Sequence, residues 1–383
     1  MGCAWLEGEV LVPLDRLEVR GLRNLADQII ELDSRLVVVV GANAQGKSSL
    51  LEAIYLLATT RSFRTREPRE AIAYESETCF VRGTISRPGD ASLEISVGRS
   101  RGRGERQLRV GQYIVKLADY LEHLPALVMT GESTRSIAGS PSERRRYMDR
   151  ATASAVPSHL PDLAEYKRAL AQRNQLLREE ASDEELDPWD EILASVGERI
   201  ATRREEQVRA WQELLGSWPE LFPEACDAQM HYRRVGVSAK GAVEAPELAQ
   251  RLRAARASDR RTRVTSVGPH RDDLGFEVQG RDIWRYGSAG QLRSALAATT
   301  FAQARRVHAL RPSVDRLLIL DDVDSDLDKA RFDALLEAAR AEGQTFAASS
   351  KPALAVGLDA CVLDVRAGRI TARDRSEGTT GRR

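Results

Sequence analysis

The chain has 383 residues, of which 42% are hydrophobic and 30% charged, with 57 basic and 57 acidic side chains and no formal net charge. Such a composition excludes a disordered chain and allows two or three domains with buried cores. It also excludes a globally basic nucleic-acid binder, so contact with a polyanion must come from local clusters of Arg, the better bidentate phosphate ligand, which far outnumbers the six Lys.

The chain opens on "MGCAWLEGEVLV", which carries no basic stretch followed by an apolar core; residues 1–12 read as a disordered extension. The text "LDRLEVRGLRNLADQIIEL" alternates and then meets "RLVVVVG", giving two or three strands, the last with the continuous apolar run of a strand buried on both faces. Residues 48–58 predict a helix, and 71–117 predict strands in "CFVRGTI", "SLEISVGR" and "RQLRVGQYIVK". From 142 to 260 the period becomes helical: Leu163, Tyr166, Leu170 and Leu177 recur on one face, and Ile192, Val196, Ile200, Val208, Trp211 and Leu215 on another. Strand-like text resumes at "TRVTSVGPHRDDLGFEV". A helix over 289–309, the strand "RLLILDD", a helix over 329–341 and a short strand near "QTFAASS" follow. The order predicts an α/β nucleotide-binding head with mixed sheets, interrupted by a helical arm without a long coiled coil. Its boundaries are an N-terminal lobe over 13–141, the arm over 142–260, a C-terminal lobe over 261–372 and a disordered tail over 373–383. Cys3, Cys79, Cys226 and Cys361 lie far apart with no C-x-x-C pair, which fits reduced thiols better than zinc or disulfides. No apolar run reaches the ~18 residues that cross a bilayer, so a cytoplasmic protein with no membrane partner is expected.

Three stretches carry chemistry. "GANAQGKS" (Gly41–Ser48) fits G-x-x-x-x-G-K-[ST]: Gly41 and Gly46 let backbone N–H groups converge on phosphate oxygens, Lys47 brings positive charge, and Ser48 can ligate Mg²⁺. Ala44 stands where such loops often have Gly. If that position needs a positive φ, a side chain there costs about 1–2 kcal/mol and weakens nucleotide binding about tenfold. In "RLLILDDVDSDLD", the strand-terminal Asp321 is placed to hold the metal and Asp322 to act as a general base. Ser288-Ala289-Gly290-Gln291 opens a helix with a hydroxyl and a Gly, a pattern that suits an anion as well as an ordinary cap.

Together these three elements spell the signature of ATP-binding-cassette heads, and further stretches narrow the resemblance. "LEVRGLRNL", "LLEAIYLLATTRSFR", "GESTRSIAGSPSERRRYMD", "YKRALAQRNQLL" and "VGPHRDDL" resemble the RecF family of SMC-type ATPases over about 14–370. The resemblance implies an ATP site built from Arg23, Asn24, Gly41, Ala42, Asn43, Ala44, Gln45, Gly46, Lys47, Ser48 and Ser49. Ser288, Gly290, Gln291 and Asp328 would complete it in an ATP-joined homodimer, with Ser288 meeting the ATP of the opposite subunit. It further implies Mg²⁺ on Ser48 and Asp321, and catalytic roles for Asp322, Glu132 and Ser288. The implied activity is ATP-dependent, sequence-independent binding of gapped duplex DNA in replication, recombinational repair and the SOS response, helping RecO and RecR load RecA. Clustered Arg are the expected DNA contacts: Arg101, Arg103, Arg144, Arg145 and Arg173 are the candidates, among runs that also hold Arg99, Arg106 and Arg109.

The chain also departs from the family pattern. Gly131 and Ser133 replace Pro and Asp around Glu132, Asp324 replaces an aromatic, and no His stands at Ala347–Ser350. These changes point to slow, DNA-stimulated hydrolysis used as a switch. A hydrolysis-deficient structural or defence-system protein on the same head is the alternative. A transporter ATPase subunit is disfavoured, since neither a glutamine loop nor a switch His is found. His270 is expected to be structural rather than catalytic.

Overall fold

The computed structural model describes residues 13–65, 67–86, 92–102, 106–131, 138–235, 247–322 and 329–373. The chain forms two compact units, one running to Ser133 and resuming at Val307, the other spanning Thr134–Arg306.

In chain order, the first unit begins with β1 (Leu14–Arg20), β2 (Gln28–Glu31) and β3 (Leu36–Val40), which leads into helix α1 (Lys47–Thr59). Strands β4 (Thr78–Ile85), β5 (Leu93–Ser100), β6 (Arg106–Val110), β7 (Tyr113–Ile114) and β8 (Ala126–Thr130) follow. The second unit holds the helices α2 (Pro141–Ala155), α3 (His159–Arg178) and α4 (Asp183–Leu214), then β9 (Ala228–Arg233), α5 (Leu248–Thr262), β10 (Asp273–Val278) and β11 (Arg281–Asp282). Helix α6 (Ala289–Leu310) carries the chain back to β12 (Leu317–Asp321), α7 (Lys329–Glu342), β13 (Gln344–Ser349), β14 (Cys361–Arg366) and β15 (Arg369–Ala372).

Two sheets build the first unit. One is antiparallel, in the order β2-β1-β4-β5-β6-β7; the other runs β15-β14-β3-β13-β12-β8 and is parallel except for the terminal β14–β15 hairpin. Helix α1 touches β4 and β5 of the first sheet and β8, β12 and β13 of the second. It is therefore buried nearly all round, with only Ser48 and Thr59 partly open, which accounts for an apolar run without a polar face. The valine strand β3 is wholly buried, as its composition requires.

The helical period is realised in the second unit, where Tyr166, Val196, Ile200, Val208, Trp211 and Leu215 are buried. Ile192 is instead exposed, and its neighbour Leu193 takes the core position. Helix α4 starts on a capping box, Ser182 accepting from Glu185 N and Glu185 accepting from Ser182 N. The strand-like text after 262 forms a strand only at β10. The residues before it make a loop fixed by His270, whose Nδ1 meets the Tyr166 hydroxyl at 2.7 Å and whose Nε2 meets the Thr265 carbonyl at 3.0 Å. Burial pushes its pKa down to about 4, which keeps the ring neutral and suits the structural role expected of it. Gly268 has φ 124°, and a Cβ there would overlap the Tyr166 hydroxyl, so this loop requires glycine.

The second unit ends at 306 rather than 260. Antiparallel pairing of β9 with β10 joins the later segment to the helices, as does Gln303, which accepts from Gln207 and the Trp211 indole and donates to the Ala151 carbonyl. At the tail, Arg373 is ordered by a bidentate pair with Asp364, while 1–12 and 374–383 lie outside the described residues.

A buried ionic network crosses the second unit. Arg173 is fully buried and donates to Asp190 at 2.6 Å, to Asp259 at 2.8 Å and to Thr265 at 2.9 Å, while Arg256 also binds Asp190. Removing Arg173 leaves Asp259 without its cationic partner in a dry interior and Asp190 with Arg256 alone. Arg173→Ala is expected to destabilise the second unit by about 3–5 kcal/mol, read from urea unfolding; an unchanged midpoint would show that water reaches these carboxylates.

Candidate functional site

The parallel strands β3, β13, β12, β8 and β14 end along one edge, and the sequence motifs of the first unit gather there. This is where ligands bind in open parallel sheets. β3 hands over to the Gly41–Gly46 loop, and α1 begins at Lys47 with its N–H groups and positive dipole end facing the loop. Gly41 is required by close backbone approach: a Cβ there would lie 2.5 Å from the Val365 carbonyl. Gly46 has φ 121°, which only glycine adopts without strain. Lys47 is folded into the loop, its Nζ donating to the Gly41 carbonyl at 2.8 Å and to the Ala42 carbonyl at 3.0 Å.

One strand, β13, separates β3 from the acidic strand β12, yet the two motifs meet directly. The Ser48 hydroxyl donates to Asp321 at 3.0 Å. Burial, reinforced by the neighbouring charge of Asp322, pushes the Asp321 pKa up to about 6, against the hydrogen bond from Ser48. Asp322 follows at φ 61° and faces the same open cavity of about 640 Å³ as Lys47 and Ser48.

Arg23 (φ 50°) and Ala44 (φ 63°) border this cavity in the same left-handed conformation as Asp322. Ala44 thus carries the strain expected of a side chain at this position, about 1–2 kcal/mol. Asn24 braces it, donating to the Ala44 carbonyl at 3.1 Å and accepting from Ser49 at 2.7 Å. Arg23 forms a bidentate pair at 2.9 and 2.8 Å with Glu52, which is fully buried in α1 and also accepts from Ser62 at 2.6 Å. Gln45 turns away from the cavity: its side chain accepts from Ala367 N and its carbonyl from Gly368 N, tying the β14–β15 turn to the loop.

Sequence reasoning missed the cavity's far wall, made by Arg64, Arg69, Glu70, Ile72 and Tyr74. The signal was present in the Arg-rich "RSFRTREPRE" that follows α1, but such a loop has no period that could place it.

The remaining expected residues fall elsewhere. Ser288, Gly290 and Gln291 open α6 in the second unit. There Ser288 accepts from Gln291 N at 3.2 Å and Gln291 accepts from Ser288 N at 2.9 Å, a reciprocal cap on an exposed helix start. Glu132, Asp328 and Arg103 lie outside the described residues. Two expected DNA contacts are corrected: Arg173 is consumed by the buried network above, and Arg144 by a bidentate pair with Asp273 at 2.8 and 2.7 Å, so neither offers a free guanidinium to a phosphate. Arg145 is partly open and donates to the Asp272 carbonyl. Arg101 holds the carbonyls of Ala73 and Ser76 on the rim of the cavity. Among the described residues no group of three or more His, Cys, Asp or Glu gathers as a metal site, and no helix is long and apolar enough to cross a membrane.

The chain matches the family described as RecF/RecN/SMC N terminal domain over residues 13–362. It is 35% identical over 341 residues to the DNA replication and repair protein RecF of Symbiobacterium thermophilum, covering 87% of this chain and 90% of that one. With its counterpart from Geobacter sulfurreducens it shares 34% identity over 322 residues, covering 83% and 87%. Among solved structures it resembles the recombination mediator protein RecF with ATP of the RecFOR pathway, with a TM-score of 0.85, 26% identity and coverage of 97% and 100%. An SMC head bound to the C-terminal winged-helix domain of ScpA shares the fold at a TM-score of 0.51, 15% identity and coverage of 95% and 98%. Fold and site define a phosphate-loop ATPase head of the ABC/SMC type, with mixed sheets and a helical insertion. Within that class, the chain belongs to the RecF family.

Asp321 generates a pH test. Its folded-state pKa lies above the ordinary 3.8, so between about pH 4 and 6 the folded chain binds the proton that the unfolded chain has released. Its contribution to stability therefore falls as pH rises through this window, and the full penalty applies above pH 6. Asp321→Asn is expected to stabilise the protein above pH 6 by up to roughly 3 kcal/mol and to give no gain below pH 4, measured by thermal melts across pH. A gain independent of pH would remove the buried-charge argument.

Proposed function

We propose that the protein is an ATP-dependent DNA-binding protein of the RecF type, acting in recombinational gap repair, replication and the SOS response. The observation that carries this reading is the bond from Ser48 of the phosphate loop to the buried Asp321, beside Lys47 and Asp322. The pair fits Mg²⁺: one hydroxyl and one carboxylate are hard oxygen donors, and a carboxylate with a raised proton affinity gains most from a cation. Bound ATP with Mg²⁺ supplies the phosphoanhydride whose cleavage resets the switch. Lys47 and the loop N–H groups hold the phosphates, Ser48 and Asp321 hold the metal, and Asp322 accepts the proton of the attacking water. Hydrolysis is slow and DNA-stimulated, in keeping with the absence of a His at Ala347–Ser350.

ATP joins two copies, Lys47 of one and Ser288 of the other contacting the same nucleotide. The exposed start of α6 supports this. Gly290 is open on its Cβ side, its nearest neighbour being Ser288 Oγ at 3.8 Å, so nothing among the described residues demands a glycine there, whereas close approach by a second copy does. The dimer binds duplex DNA near gaps without reading sequence and helps RecO and RecR load RecA in the cytoplasm. The ATP-bound RecF of the RecFOR pathway supports both the nucleotide and the pathway.

Sedimentation with ATP, ADP or no nucleotide tests the clamp. Wild type is expected to dimerise with ATP alone, Lys47→Ala to stay monomeric, and Ser288→Arg to bind ATP as a monomer without dimerising or gaining DNA affinity. A Ser288→Arg protein that dimerises normally would exclude the shared site.

Hydrolysis is tested separately. Asp322→Asn keeps shape and hydrogen bonding but cannot take a proton, so ATP binding should persist while phosphate release falls at least about 100-fold, in the range for loss of a general base. Wild-type turnover in this variant would move the base elsewhere, Glu132 being next. A wild-type protein with no turnover on any DNA would favour a purely structural switch.

A further inference from the structure

The antiparallel sheet of the first unit contains a local violation of its own pattern. β5 and β6 pair so that Ile95 faces Val110, Val97 faces Leu108 and Arg99 faces Arg106. Ile95, Val97 and Leu108 are buried, and Cys79, which pairs with Arg99 from β4, is buried too. The alternation therefore assigns Arg99 and Arg106 to the apolar face, directly opposite each other, where like charges repel. Both reach the C-terminal end of α1: Arg99 donates to the Thr60 carbonyl, and Arg106 donates to Thr60 Oγ1 at 2.8 Å. Arg61, exposed, is the next residue of the chain.

Two guanidinium groups thus meet at this helix end, with Arg61 near enough for its charge to act on both, and among the described residues none of the three forms an ion pair with a carboxylate. The helix end offers only a partial negative charge. The Nε of Arg99 is buried and has no hydrogen-bond partner. Burial lowers the pKa of Arg99, with Arg106 and Arg61 lowering it further, and burial followed by Arg61 does the same to Arg106. Unpaired, mutually repelling cations at core-facing positions destabilise a sheet unless an anion joins them. Guanidinium forks match phosphate oxygens two at a time, and Arg61 and Arg106 are exposed, so a long polyanion can reach the site from solvent.

We propose that Arg61, Arg99 and Arg106 form a binding site for a backbone phosphate of nucleic acid at the C-terminal end of α1. The assignment rests on the DNA-binding reading above and names a contact point distinct from the nucleotide cavity. The site occupies the opposite end of α1 from Lys47, so occupancy by a DNA phosphate bears on the helix that carries the phosphate loop.

The test is fluorescence anisotropy on labelled gapped duplex across a salt series in ATP, using Arg61→Ala, Arg106→Gln and the charge-preserving Arg61→Lys. Among the described residues Arg61 makes no side-chain bond that folding would miss, and Gln at 106 can still donate to Thr60, so both variants are expected to fold, with thermal melts as the check. Arg61→Ala and Arg106→Gln are each expected to weaken DNA binding several-fold and, combined, to flatten the log–log salt slope by about 0.9 for the one phosphate lost. Arg61→Lys should keep the wild-type slope, and ATP affinity, read with a fluorescent analogue, should be unchanged in all three. If wild type binds DNA and the double variant keeps its affinity and slope, this site is wrong while the proposed function stands. If displacement of DNA by poly-glutamate is lost in the double variant while DNA affinity is kept, the site docks an acidic protein instead. Failure of wild type to bind duplex in any nucleotide state would overturn both.

Discussion

Burial of α1 between two sheets is the constraint on which the first unit depends. A helix of 13 residues spans about 20 Å, and here it is wedged along its length against strands from both sides. Its N-terminal end is the phosphate loop; its C-terminal end meets the Arg pair of β5 and β6. Midway, Glu52 is a charge with no access to water, held by Arg23, with Ser62 and Arg64 adding their donors. Arg23 lies on the cavity rim and reaches inward to Glu52, so the position of a cavity-lining residue is set by a salt bridge inside the core.

Strain and unfavourable charge meet at the cavity edge. Arg23, Ala44 and Asp322 are left-handed without being glycine, and Asp321 is a carboxylate in a dry setting. Each costs stability, and all four lie at the strand ends around one cavity or touch it. Folding energy from the valine strand and the buried helix offsets these costs. A site organised before its ligand arrives needs little rearrangement to accept charge.

Much of this was legible in the sequence because the residues concerned obey strong local rules. The valine run fixed β3, the G-x-x-x-x-G-K-S spacing fixed the loop, and "LLILDD" fixed the acidic strand end. Local rules say nothing of pairing, however. Arg173 reads from the sequence as a DNA contact, but its guanidinium group finds Asp190 and Asp259, 17 and 86 residues away, and only the packed structure shows Arg256 sharing Asp190 with it. Arg144 was likewise lost to Asp273. The boundary at 260 was misplaced because sequence period marks where helices stop, whereas a compact unit is defined by contacts such as those of Gln303. The far wall of the cavity was invisible for want of any period in the loop after α1.

The tie between Gln45 and the turn at Ala367 and Gly368 joins residues 322 positions apart. The carbonyl of Val365 shapes the space beside Gly41, and Gly368 also accepts from Ala26 N and from Gln28. The phosphate loop is therefore among the first parts of the protein to be synthesised and among the last to be completed. During translation the whole second unit, a continuous segment, emerges and can fold while the loop still lacks its backing hairpin. A nascent chain on the ribosome is thus unable to assemble its finished phosphate cradle until the β14–β15 hairpin has been released.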